Sequence, residues 1–290
     1  AFRVEVEEAG MAGFGKFAMA GALALMLSTT GCQDGGGLIS LFPKAEAPVP
    51  DRLVKKMKDK KMSASSPIMV RVFKEENQLE VWKQAGNARY DLLETYEICK
   101  WSGKLGPKFK EGDRQAPEGF YSVAPWQMNP KSDYYLSFNI GFPNAYDRAN
   151  ERTGTHLMVH GACSSAGCYS MTDERMAEIY ALARDAFKGG QTEFQIQAFP
   201  FRMTPENMAR HRGDPHFAFW QMLKEGSDHF EITRHPVKVD VCDKRYVFNR
   251  MVEDDKIKFK PTSACPETTM PDSLALAYSE KVSKDEKAFE

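Results

Sequence analysis

His156-Leu157-Met158-Val159-His160-Gly161-Ala162-Cys163-Ser164-Ser165-Ala166-Gly167-Cys168 puts two histidines, two cysteines and two glycines into 13 residues. The apolar run 157–160 reads as a β-strand that delivers an imidazole to a Gly/Ser-rich turn. Cys168 then falls just ahead of a helix start, whose first amides are expected to favour a thiolate. A thiolate is the competent nucleophile, and His160 beside it is placed to take its proton and return it to a leaving amine. Gly167 permits close backbone approach, and the amides near Gly167 and Cys168 are candidates for an oxyanion site. Two other readings compete. His156, His160, Cys163 and Cys168 offer a set of zinc ligands, but their spacing matches neither C-x2-C nor H-E-x-x-H. A disulfide between Cys163 and Cys168 is the second.

Outward from this stretch, the chain reads as short β-runs at 68–73, 79–83 and 90–99, with Glu75-Glu76-Asn77 as a tight turn. Further runs at 120–123, 135–140 and 157–160 are separated by Gly/Pro/Asn/Asp segments, so 67–170 is expected to be a compact, mainly β region. Thr172 caps a helix with Asp173 and Glu174 in its first turn and Met176, Ile179, Tyr180, Ala183 and Phe187 on one face; Gly189-Gly190 stops it. It is expected to cover the sheet. Beyond a strand at 194–199, Thr204-Pro205-Glu206 is a second helix start, and 217–224 is helical. Strands are expected at 237–241 and 246–248, and the last 25 or so residues are polar and weakly patterned. The fold class is therefore α+β, mainly β, with a covering helix and a C-terminal α/β elaboration.

Composition sets the outer bounds. Of 290 residues, 42% are hydrophobic, 27% charged and 11% aromatic, which suits a globular core and excludes collagen, long disorder and a disulfide-dense miniprotein. With 39 basic against 40 acidic residues, the net charge of −1 gives no footprint for nucleic acid. No nucleic-acid partner is expected. The apolar run 17–27 after Lys16 is too short to span a bilayer and fits a secretory h-region. It leads into small residues before Cys32, an expected lipidation site, with Gln33 leaning toward the outer membrane. The expected organisation is an upstream extension at 1–10, a signal peptide with lipobox at 11–32, a flexible tether at 33–66, a catalytic domain at 67–203 and a C-terminal extension at 204–290. The tether assignment rests on the Gly, Pro and Lys content of 33–66. Membrane contact is expected only through that N-terminus. If Cys32 carries lipid and one cysteine is a nucleophile, the remaining four can form two disulfides in an exported protein, with pairing left open.

Three ordered segments carry a resemblance to a known family. His160-Gly161-Ala162-Cys163-Ser164-Ser165-Ala166-Gly167-Cys168 resembles the active-site signature of the YkuD-type L,D-transpeptidases, in the branch typified by YafK proteins. The segment 111–121 resembles that family's G-D-x-x-T-P-x-G-x-Y element, and Asn139-Ile140-Gly141-Phe142-Pro143-Asn144 resembles its N-I-G-F-P element. The resemblance implies a β-sandwich-like domain acting on peptidoglycan stem peptides, with Cys168 as nucleophile, His160 as base, the Gly161 carbonyl orienting the imidazole and Ser165 flanking the nucleophile. It implies no cofactor and no metal. Ala166, Ala116 and Tyr169-Ser170-Met171 depart from the family's usual residues and bear on the choice of acceptor. Transfer to an amine, in wall cross-linking or protein attachment, is the leading expectation. Hydrolytic detachment of a lipoprotein from peptidoglycan is the alternative, and a non-enzymatic zinc-binding envelope module the third. The expected location is the periplasm. His156, Tyr146, Arg148 and Trp126 are weaker substrate-binding candidates, with Asp147 beside them. His211, His216, His229 and His235 are expected as surface or capping residues, and Trp82, Trp101 and Trp220 as core.

Overall fold

The computed structural model describes residues 43–254 and 256–289. The signal, the Cys32 lipobox and the first part of the tether lie outside the described residues.

Two five-stranded sheets carry the fold. The first has the order β3 (Tyr90–Glu97), β2 (Gln78–Gln84), β1 (Ile68–Phe73), β10 (Phe194–Phe199), β5 (Gly119–Val123). β1 pairs with β2 antiparallel and with β10 parallel. All six β1 residues are buried, because this sheet is covered on both faces. Ile68, Val70 and Val72 enter one apolar cluster, and Met69 and Phe73 enter the other, as a period of two requires. The second sheet has the order β4 (Lys100–Trp101), β9 (Tyr169–Ser170), β8 (Met158–His160), β7 (Ser137–Asn139), β6 (Met128–Asn129). Phe138, Val159 and Tyr169 from it join the same cluster as Val70 and Ile196, so the larger core lies between the sheets. Phe138 and Phe194 meet edge-on across that core at 5.4 Å between ring centroids.

The expected covering helix is α3 (Asp173–Lys188), capped by Thr172 accepting from the Arg175 amide, with Met176, Ile179, Tyr180 and Ala183 in the inter-sheet core. A short helix, α2 (Ala145–Ala149), was not foreseen; Asn144 and Asp147 form a reciprocal capping box at its start. On the outer face of the first sheet lie α4 (Pro205–Arg210), α5 (Phe217–Thr233) and a hairpin of β11 (Val239–Cys242) and β12 (Arg245–Phe248), around Trp220, Phe230 and Phe248.

One expectation fails here. The tether reading does not hold for its described part: Asp51–Asp59 forms helix α1, with Leu53 and Met57 buried in the main core. Those two apolar residues, four apart, suffice for docking one helical stripe, and the surrounding lysines disguise them. Arg52 bridges Glu94 and Glu178 across the contact. The weakly patterned C-terminal tail contains an 18-residue helix, α6 (Asp272–Phe289), seated on α4 and α5. Ion pairs contribute to its attachment, with Asp285 meeting Lys224 at 2.6 Å and Lys281 meeting Asp228 at 3.4 Å, beside ring contacts of Tyr278 and Phe289.

The cysteine pairing left open by the sequence is Cys99–Cys163 and Cys242–Cys265, with Cys168 free. The Cys163–Cys168 disulfide is thereby excluded, and the zinc reading loses Cys163 as a ligand.

Candidate active site

The site grows from the parallel pair β8 and β9, where Val159 lies opposite Tyr169 and His160 opposite Ser170. Val159 and Tyr169 point into the inter-sheet core, so strand alternation turns His160 the other way and Cys168, two residues before Ser170, toward the same side. His160 is 4% exposed. Its Nδ1 lies 2.6 Å from the Gly161 carbonyl oxygen. A carbonyl only accepts, so Nδ1 carries the proton and Nε2 is the basic nitrogen. Burial pushes the imidazole pKa down, opposed by the Gly161 carbonyl, and the ring is held neutral. The Tyr134 ring packs on it at 4.7 Å between centroids.

Gly161 is required by crowding. Its amide donates to the Tyr134 and Leu136 carbonyls, and a Cβ there would come within 2.6 Å of Asp173 Oδ1 and 3.0 Å of Tyr134 O. The same Asp173 Oδ1 accepts from the Ala162 amide at 2.8 Å. Ala162 and Cys163 then adopt left-handed conformations, with φ of 62° and 46°. Two contacts hold this turn: the Cys163–Cys99 disulfide, and a bond from the Cys163 amide to the Met171 carbonyl at 3.2 Å. Ser165 closes the loop, donating to the Cys168 carbonyl at 2.7 Å and accepting from the Gly167 amide at 3.3 Å. Gly167 has φ of 130°, outside the range of ordinary side chains.

Cys168 is partly buried, and its thiol donates to the His156 carbonyl at 3.6 Å. Burial pushes the thiol pKa up, opposed by the Met158 amide and the Lys108 ammonium. The expected help from the α3 amides is not what the structure provides. That helix begins at Asp173, its Arg175 amide is taken by the Thr172 side chain, and the Asp173 carboxylate turns to the Ala162 amide. At rest the thiol and the imidazole are thus both neutral.

The weaker candidates disperse. His156 is exposed with φ of 55°, and it is its carbonyl that meets Cys168. Tyr146 is core rather than cleft, stacked on Tyr246 at 4.2 Å with Arg152 over its face. Asp147 is fully buried and paired with Arg152 at 3.1 Å. Arg148 is exposed, bonded to the Pro143 carbonyl. Trp126 is 82% exposed in a 3-10 turn. His211 stacks on Phe201, His216 precedes α5 and His235 folds back on Thr233, whereas His229, expected at the surface, is fully buried. Tyr134 and Lys108 escaped the sequence reading, and Asp113 entered it only as the aspartate of the G-D element. Among the described residues, no group of three or more His, Cys, Asp or Glu side chains is arranged to hold a metal ion.

A family model described as the L,D-transpeptidase catalytic domain, YkuD, matches residues 68–217. A protein of Escherichia coli (strain K12) named "Putative L,D-transpeptidase YafK" is 45% identical over 199 residues, covering 69% of this chain and 80% of that one. Among solved structures, the helical cell shape determining protein Pgp2 of Campylobacter jejuni matches at 18% identity and a TM-score of 0.38, over 67% of this chain and 80% of that one. Bd1075 of Bdellovibrio bacteriovorus matches at 24% identity and a TM-score of 0.33, over 49% and 52%.

Proposed function

Since the chain belongs to the YkuD family of L,D-transpeptidase catalytic domains, we propose that it is a peptidoglycan-modifying cysteine acyltransferase with Cys168 as nucleophile and His160 as base. One observation carries this reading. Cys168 is the free thiol among the described cysteines, and it sits diagonally across β8 and β9 from a histidine whose Nε2 is basic.

The chemistry follows from those atoms. Cys168 Sγ bonds to the carbonyl carbon of a diaminopimelate-containing stem peptide as its proton passes to His160 Nε2. The Gly167 amide is already engaged by Ser165, so the Cys168 amide is the donor assigned to the oxyanion. The tetrahedral intermediate collapses by breaking the C–N bond, and His160 returns the proton to the departing amine. An acceptor amine then attacks the thioester, yields its proton through His160 to the thiol, and forms the new amide bond. Gly161 serves by fixing the imidazole tautomer through its carbonyl, and Ser165 by holding the turn at the nucleophile. A periplasmic location is part of the proposal, supported by the two disulfides, which persist in oxidising compartments.

The test is mass spectrometry of the purified protein and its Cys168→Ala variant with diaminopimelate tetrapeptides and with lipoprotein-bearing peptidoglycan. New peptide-to-peptide bonds that vanish in the variant are the expected result. Lipoprotein release without new bonds would instead make water the acceptor, and no Cys168-dependent product on either substrate would overturn the assignment.

A further inference from the structure

The base carries a contact on its face that the proton transfers themselves do not use. The Tyr134 ring packs on the His160 imidazole at 4.7 Å between centroids, tilted by 44°. Tyr134 is 50% exposed, whereas His160 is 4% exposed. A half-exposed ring gains only part of the free energy of burial, so burial alone does not account for its place there.

Strand period would send this ring elsewhere. Leu136 and Phe138 enter the inter-sheet core, and Ser137 lies opposite His160 on β8. Continued backwards at a period of two, that pattern would turn Tyr134 to the core side and Tyr135 to the side of His160. Tyr135 instead adopts φ of 67°, a left-handed conformation uncommon for a bulky residue. The break in period leaves Tyr135 packed against the main core and brings Tyr134 onto the imidazole. Strain of this kind persists only where the surroundings hold it.

Three contacts hold this turn. The Gly161 amide donates to the Tyr134 carbonyl at 3.0 Å, so the residue whose carbonyl meets His160 Nδ1 also anchors the backbone of the ring. The Tyr134 amide donates to Ser132 Oγ at 3.1 Å. Lys44, ahead of α1, donates to the Ser132 carbonyl at 3.2 Å and stands over the Tyr135 ring at 5.6 Å. Among the described residues, the hydrogen bonds of Tyr134 are main-chain ones, so its side chain meets His160 through the ring alone.

A single bond at Nδ1 fixes the tautomer of the imidazole, but the ring can still turn about that bond. A second ring laid on its face removes this freedom, and tilted aromatic pairs are favourable. We infer that Tyr134 is a positioning residue of the acylation step, its ring fixing the plane of the His160 imidazole and hence the direction in which Nε2 points. The inference rests on Cys168 being the nucleophile and His160 its base. The phenol hydroxyl takes no part.

Release of D-alanine from a diaminopimelate tetrapeptide by the full chain reads acylation whichever acceptor follows. Y134L and Y134A should each lower kcat by about 10- to 100-fold and leave KM within about twofold, the pattern of a misdirected base. Y134F, which keeps the ring, should restore the rate. Independently of turnover, the His160 ring-proton resonances, assigned with His160→Asn, should move in Y134L and Y134A and stay in place in Y134F. Circular dichroism identifies which of the leucine and alanine variants keeps the native fold and so carries the reading. A folded Y134L or Y134A with unaltered kcat overturns the inference. So does a loss confined to KM, which would make Tyr134 a substrate contact, or a loss in Y134F equal to that in Y134L, which would make the hydroxyl the acting group. The two failures are separable: unaltered kcat in Y134L with release abolished in Cys168→Ala removes only the role of Tyr134. Release that survives in Cys168→Ala removes the function.

Discussion

The imidazole of His160 is tied to the main chain of the very next residue, its Nδ1 lying 2.6 Å from the Gly161 carbonyl oxygen. This bond fixes the tautomer and leaves Nε2 to handle protons, and burial holds the pKa below the ordinary histidine value.

The acidic limb of the acylation rate should therefore lie below pH 6.5, because the ring is already neutral above its lowered pKa. The rate should climb again toward high pH as the thiol, whose own pKa is raised, begins to ionise. His160→Asn should lower kcat/KM by about 10²- to 10⁴-fold, the usual worth of a general base. A pH profile of thioester formation is the measurement; an acidic limb above 6.5 would contradict the neutral imidazole.

The Cys99–Cys163 disulfide spans 64 residues and ends within the catalytic turn, whereas Cys242–Cys265 spans 23 and lies in the C-terminal elaboration. By loop-closure entropy, converting both members to serine should cost about 4 kcal/mol for the first pair and about 3 kcal/mol for the second. Only the first double variant should also slow acylation at a temperature where both remain folded. Denaturant unfolding paired with acylation rates separates the two, and equal slowing in both variants would count against a special role for the turn.

Lys74 and Glu118 form an ion pair at 2.9 Å with neither side chain exposed. Glu118 also accepts from the Gly106 amide and from Trp220 Nε1, so it fastens the segment before the G-D element to α5. Lys74→Met leaves a buried carboxylate without its cation and should cost about 3–5 kcal/mol. The double variant Lys74→Met, Glu118→Leu should recover part of that loss. Urea midpoints decide this, and a single variant within 1 kcal/mol (about the noise of such comparisons) of the unaltered protein would refute it.

His229 is fully buried against Phe248 and Tyr278, with Nε2 lacking a partner and a pKa pushed down to about 4 by burial and by Arg250. Because the folded pKa lies below the unfolded value near 6.5, the unfolded chain binds the proton more readily. Stability should fall as pH drops from 6.5 toward 4, by up to about 3 kcal/mol. His229→Met should flatten that limb, which a comparison of Tm against pH would show. Parallel curves for the two proteins would exclude His229 as the cause.

Much of this protein was determined locally. The short apolar, β-branched run 68–73, the Thr172 cap and the Gly/Ser turn ending at Cys168 specify strand, helix and reactive loop because strand propensity, capping and backbone freedom act within a few residues. What required the tertiary structure acts across distance. Leu53 and Met57 find their core only once the sheets have assembled, so α1 looked like a tether. Cys163 takes Cys99 instead of Cys168 because folding brings β4 beside β9. Tyr146, promising as a cleft residue in sequence, is claimed by the aromatic stack with Tyr246. The electrostatics of the thiol belong to the same class. A helix start a few residues downstream is visible in the sequence, but the burial that raises the Cys168 thiol pKa exists only once the chain has folded.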